Sequence, residues 1–190
     1  MEKLAKIDFG LLRALGFPPE SFGEGEYDTV CEQLGVKEID HETEGRIGRE
    51  LADVFMLRMF PERTHPFWNM KRTADGKHAE KIDVIMYGIE TVGSAVRSCD
   101  PDAMRRAFLT ISGGRYAKLL FDSFGRKRVL DELEAFLLLN FFPRCGGGIG
   151  IPRLIRAVEL AGLFPNDKTS ARKALCGDGV RSPAEAVVAS

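Results

Sequence analysis

The chain has 190 residues, 44% of them hydrophobic and 29% charged, which places it among ordinary soluble globular chains with one real core. Its formal net charge of −1 excludes a chain-wide positive field for nucleic acid or an anionic membrane, so any RNA contact would be local. Cys31, Cys99, Cys145 and Cys176 form no CxxC pair and no run of about 18 apolar residues occurs, which argues against a zinc site, a disulfide framework and a membrane span and favours reduced thiols in the cytoplasm.

Residues 1–16 set Leu4, Ile7, Leu11, Leu12 and Leu15 at the spacing of a short amphipathic helix that stops at Gly16, ahead of Pro18 and Pro19. A loop follows. Helical spacing returns over 26–34, through Tyr27, Val30, Cys31 and Leu34, and over 44–58, through Ile47, Leu51, Val54, Phe55 and Arg58. The prolines and aromatics of 60–71 break that pattern. Over 81–88, Ile82, Val84 and Met86 alternate with Asp83, Ile85 and Tyr87, the period of a half-buried strand. Gly88 supplies a turn, and 89–97 returns as the second strand of a hairpin.

Asp100, Pro101 and Asp102 cap and start a helix that turns Met104, Ala107 and Phe108 inward. Val129, Leu130, Leu133, Phe136 and Leu137 predict one long helix over 128–142. The glycine-rich segment 145–150 reads as a turn, and 151–163 as a helix with Ile151, Leu154, Ile155, Val158 and Ala161 on one face. From Pro165 the chain becomes small and polar, so residues 1–164 form the domain and 165–190 a loosely ordered tail.

Two constellations carry chemistry. In Gly146-Gly147-Gly148-Ile149-Gly150-Ile151-Pro152-Arg153-Leu154, residues without a Cβ let backbone approach a ligand, and a helix start with Arg153 in its first turn favours an anion such as phosphate. A plain glycine turn with a solvent-facing Arg153 explains the same residues. In the hairpin, Asp83, Glu90 and Arg97 recur every seven residues. Seven is odd, so strict alternation sets Glu90 and Arg97 on opposite faces, and a bulge at Gly93 and Ser94 would reunite them. Unrelated surface charges flanking a hairpin are the alternative. His41, His65 and His78 lack the spacing of a helical metal site.

The glycine segment resembles the third signature motif of class II aminoacyl-tRNA synthetases, with Arg153 at the position of the arginine that packs on ATP and Pro152 where the aspartyl group usually has an acid. The hairpin is similar to that of the aspartyl and asparaginyl enzymes, and residues 60–70 to the strand that leads there into a Pro-Phe-Tyr segment, with Trp68 replacing the tyrosine. An aromatic core strand is the simpler account of Phe67. The resemblance spans roughly 27–163 and implies an α+β fold, a partial class II antiparallel sheet flanked by helices, with residues 1–164 expected to be the C-terminal half of such a catalytic domain in a truncated synthetase relative.

It further implies ATP and Mg²⁺ as cofactors, with Asp83 and Glu90 holding the metal and Gly148, Gly150, Arg153 and Glu90 on the nucleotide. Arg153 and Glu90 would be the catalytic pair. Gly146, Gly147 and Arg97 would hold a small acidic or amide amino acid, since a guanidinium fork suits a carboxylate. The serine that precedes the glycine in the family follows it here, as Ser94 after Gly93. No Phe-Arg-x-Glu pattern surrounds Arg13, Arg46, Arg49, Arg58 or Arg63, the places searched for the family's second motif, which weighs against full activity; with no anticodon-binding sequence either, tRNA is expected only through another domain or partner chain. The expected activity is aminoacyl-adenylate formation. An asparagine-forming ligase and a non-catalytic binding module are the alternatives, and a homodimer is expected to cover the sheet edge.

Overall fold

The computed structural model describes residues 2–164; the segment 165–190 read above as a tail lies outside them. Its centre is a five-stranded sheet in sequential order: β1 (Phe22–Glu26), β2 (Val54–Pro61), β3 (His78–Met86), β4 (Ile89–Val96) and β5 (Cys145–Ile149). β1 runs parallel to β2, and the remaining pairs are antiparallel. Helices on both faces make this the expected α+β arrangement.

One face carries Val54, Met56, Ile82, Val84, Met86 and Val92. It is covered by α1 (Glu2–Ala14) through Leu4 and Leu12, and by α7 (Ile151–Leu160) through Ala157. The opposite face carries Phe55, Leu57, Phe60 and Ile85, covered over β1 and β2 by α2 (Tyr27–Leu34) and over β2 and the hairpin end of β3 and β4 by α3 (His41–Glu50). A third cluster, with Met104, Phe108, Leu133 and Leu137, holds together α4 (Pro101–Thr110), α5 (Arg115–Phe124) and α6 (Arg126–Leu137).

The predicted cap at Asp100 holds: it accepts a bond from the Ala103 amide to start α4. Gly35 closes α2 in the left-handed conformation. The hairpin turn uses Tyr87 as well as Gly88, both at positive φ (49° and 78°), the two-residue geometry whose twist matches the strands.

Five expectations fail. The helix over 44–58 ends at Glu50, and Val54–Pro61 is a strand whose first four residues are all buried. A strand buried on both faces presents a continuous apolar run that short-range periodicity cannot distinguish from a helix. The loop before Tyr27 contains β1, and the glycine turn at 145–150 contains β5. The last two concern helix extent and Phe67: the long helix starts at Arg126 and stops at Leu137, with α5 preceding it. Phe67 lies between β2 and β3, 38% exposed, with its ring against Trp68 and Tyr116 rather than in a core strand.

Candidate functional site

Past the hairpin end that α3 covers, β3, β4 and β5 leave part of the second face open, and Asp83, Glu90, Arg97, Gly146 and Gly148 lie on that face. Val84 pairs with Val92 while Ile85 pairs with Glu90, so Thr91 is the extra residue of a bulge. The bulge is therefore two residues earlier than the Gly93–Ser94 position expected from sequence. Its effect is the expected one: parity shifts once, and Glu90, Gly93 and Arg97 share a face with Asp83, which pairs with Gly93.

The two carboxylates converge over Gly93. A Cβ built on that glycine would lie 3.0 Å from Glu90 Oε1 and 3.4 Å from Asp83 Oδ1, so any side chain there would fill the gap between them. Asp83 is 5% exposed, and its Oδ1 has no hydrogen-bond partner. Burial pushes its carboxyl up to about 7; the Lys81 ammonium opposes that rise, and the charges of Glu90 and Glu44 add to it. Lys81 Nζ lies 2.5 Å from Asp83 Oδ2 and 3.9 Å from the centre of the Phe60 ring. Glu44, from α3, accepts the Glu90 amide at 3.1 Å.

Arg97 donates to Asn69 Oδ1 at 3.0 Å and to the Gly146 carbonyl at 3.1 Å, and its Nε lies 3.6 Å from where a Gly146 Cβ would stand. Gly146 and Gly148 pair with Ala95 and Gly93, so they lie on the same face as the acids. Gly147 points away; its missing Cβ would lie 2.4 Å from the Gly93 carbonyl oxygen. At the hairpin end, Gly150 donates to the Thr91 carbonyl at 2.9 Å, and Arg153 donates to the Glu90 carbonyl at 2.7 Å. Arg153 thus meets the backbone of Glu90, while the Glu90 side chain turns toward Gly93.

A cavity of about 300 Å³ has Glu44, Lys81, Asp83 and Glu90 in its wall, and a larger one of about 1180 Å³ is lined by Arg97, Arg72 and Arg106. His65 and Met70 line both, so the two cavities are neighbours. Sequence reasoning missed Lys81, Glu44 and Asn69. Lys81 was legible, because a strand residue two before Asp83 shares its face; Glu44 and Asn69 arrive from other elements without a local signal.

Two hard oxygens facing one gap, one of them buried and unpartnered, fit a hard divalent cation such as Mg²⁺. Among the described residues no group of three His, Cys, Asp or Glu could hold a metal ion. No helix among the described residues is long and apolar enough to cross a membrane.

Residues 5–161 match the family described as tRNA synthetases class II (D, K and N). The chain is 25% identical over 122 residues to the cytoplasmic aspartate–tRNA ligase of Caenorhabditis elegans, covering 61% of this chain and 21% of that protein. Asparaginyl-tRNA synthetase from Pyrococcus horikoshii, solved with asparaginyl-adenylate, superposes with a TM-score of 0.56 at 21% identity, over 80% of this chain and 35% of that one. Aspartyl tRNA synthetase from Entamoeba histolytica superposes with a TM-score of 0.53 at 21% identity, over 78% and 32%. The chain therefore spans about a fifth of the curated relative and about a third of these solved structures.

Proposed function

This chain belongs to the class II tRNA synthetases of the D, K and N group, and from that premise we propose that its open sheet face binds ATP and aspartate or asparagine for aminoacyl-adenylate formation. The observation that supports the reading is the placement of Asp83, Glu90, Arg97, Gly146 and Gly148 on one sheet face, with Arg153 held at the hairpin end by the Glu90 carbonyl.

In that reaction the amino-acid carboxylate attacks the α-phosphorus of ATP and pyrophosphate leaves. No enzyme nucleophile is needed, so positioning and charge neutralisation supply the catalysis. Mg²⁺, when bound, offsets phosphate charge; Asp83 Oδ1 and Glu90 Oε1 are the oxygens that would hold it. Arg153 would fix the nucleotide, with its guanidinium anchored on the Glu90 carbonyl. Arg97, braced by Asn69 and the Gly146 carbonyl, would face the side-chain end of the amino acid. Gly146 and Gly148 would admit ligand against bare backbone, whereas Gly147, facing the other way, would act by letting β5 lie close to β4.

Work in the cytoplasm, a homodimer that covers the exposed strand β5, and contact with tRNA through a further domain or partner chain belong to the same proposal. Pyrophosphate exchange into ATP, measured with and without aspartate or asparagine, tests it. Exchange that depends on one of the two amino acids is expected. Exchange absent with both, but with saturable ATP binding, favours a non-catalytic nucleotide-binding module. Absence of both exchange and ATP binding contradicts the site itself. If exchange requires aspartate and ammonia and releases asparagine, the asparagine-forming ligase is the better account.

A further inference from the structure

The acidic pair is not electrically vacant. Lys81 reaches into the same small cavity, its ammonium at 2.5 Å from Asp83 Oδ2, with the Phe60 ring beneath it at 3.9 Å. Both contacts are products of the fold rather than of chance rotamers. Lys81 and Asp83 alternate onto one face of β3, and Phe60 reaches that face because β2 shifts register at Met59, a residue at positive φ (59°). The Lys81 side chain is 22% exposed, so the pair is largely shielded from solvent screening. One oxygen of Asp83 is taken by the lysine, and the other faces Glu90 with no partner. Glu44 is the remaining acid of the cavity wall.

We propose that Lys81 is a resident counter-ion of the Asp83–Glu90 pair, which a divalent cation has to push aside. The inference rests on the reading of that pair as the cation site, and it adds a consequence that the reading alone lacks. A free divalent ion would meet an ammonium already neutralising half of its ligand set, and like charges at contact distance oppose binding. An ion arriving on a nucleotide polyphosphate brings its own anionic oxygens, and those can receive the displaced ammonium as well as the metal. The site would thereby discriminate against bare metal and favour the metal–nucleotide complex.

The test uses the whole chain and Mn²⁺ alone, with free Mn²⁺ counted by electron paramagnetic resonance. Wild type is expected to bind weakly, Lys81→Met at least about tenfold more tightly, and Asp83→Asn not measurably. A Lys81→Met affinity equal to or weaker than wild type overturns the role of Lys81 and leaves the cation site standing. Absence of Mn²⁺ binding in both chains overturns the cation site and this inference with it. A second readout needs no cavity variant: acylation of Lys81 by an amine-reactive ester, followed by peptide mass spectrometry. Labelling of Lys81 in wild type is expected to rise several-fold as Mn²⁺ saturates, because the ammonium is released. Labelling unchanged by saturating Mn²⁺ contradicts displacement.

Discussion

Arg97 and Arg153 stand at two ends of one strand and are expected to fail differently. Alanine at Arg97 removes the donor fork held by Asn69 and Gly146, and should weaken the amino acid by about tenfold or more while leaving ATP within about twofold. Alanine at Arg153 should do the reverse. Titration calorimetry with each ligand checks both, and equal losses of both ligands in both variants would contradict the division of labour. On the opposite face, Asp8 is 6% exposed and accepts a 2.6 Å bond from Ser94. Burial, the larger influence, raises its carboxyl above the usual range, and the Ser94 bond pulls it partly back. A raised folded value means that the folded chain holds this proton more firmly than the unfolded one does. Its contribution to stability is complete below the unfolded pKa of about 3.9 and is lost as pH rises through the folded value. Asp8→Asn should therefore gain on wild type in urea unfolding as pH rises above about 4; a difference that stays flat with pH contradicts it. Ser94 itself was read only as an oddity of a motif, since nothing in its neighbourhood of sequence points 86 positions back to Asp8.

At the scale of elements, the strand β5 separates two roles for glycine. A methyl at Gly147 would lie 2.4 Å from the Gly93 carbonyl oxygen, a backbone atom that cannot turn aside, whereas one at Gly148 meets nothing within 4 Å. Gly147→Ala is expected to destabilise the chain by about 1–3 kcal/mol, and Gly148→Ala by less than about 0.5 kcal/mol. Denaturant midpoints decide it. If Gly148 flanks the ligand as proposed, its alanine variant should lose nucleotide affinity despite unchanged stability. Elements whose signals are local were legible: α1, α2, α4, α7 and the β3–β4 hairpin follow from caps, turn residues and periodicity. The helix read over 44–58 was not, because Val54, Phe55, Met56 and Leu57 are buried on both faces of the sheet and show no alternation. Strands β1 and β5 were invisible for a related reason. Each is five residues long and glycine-rich, and each becomes a strand only because a neighbour supplies the hydrogen bonds.

Across the whole molecule, the sheet divides its labour by face. One face is closed by α1 and α7 over Met56, Ile82 and Met86, all at most 1% exposed, and the other is left half open for chemistry. Truncating Ile82 to alanine should cost about 2–5 kcal/mol without touching the acids next to it in sequence. For the proposed site, the candidate residues were legible in the sequence and their wiring was not. Asp83, Glu90, Arg97 and Arg153 emerge from spacing and family resemblance, while the bulge at Thr91 that reunites Glu90 with Arg97 emerges only from the paired strands. The central claim is that these groups form one pocket for an aminoacyl-adenylate. Its most direct test is calorimetric titration of the chain with non-hydrolysable sulfamate analogues of aspartyl- and asparaginyl-adenylate. Saturable binding of one analogue, weakened about tenfold or more by Arg97→Ala and by Arg153→Ala alike, is the predicted result. No binding of either analogue, or binding that both substitutions leave unchanged, would contradict it.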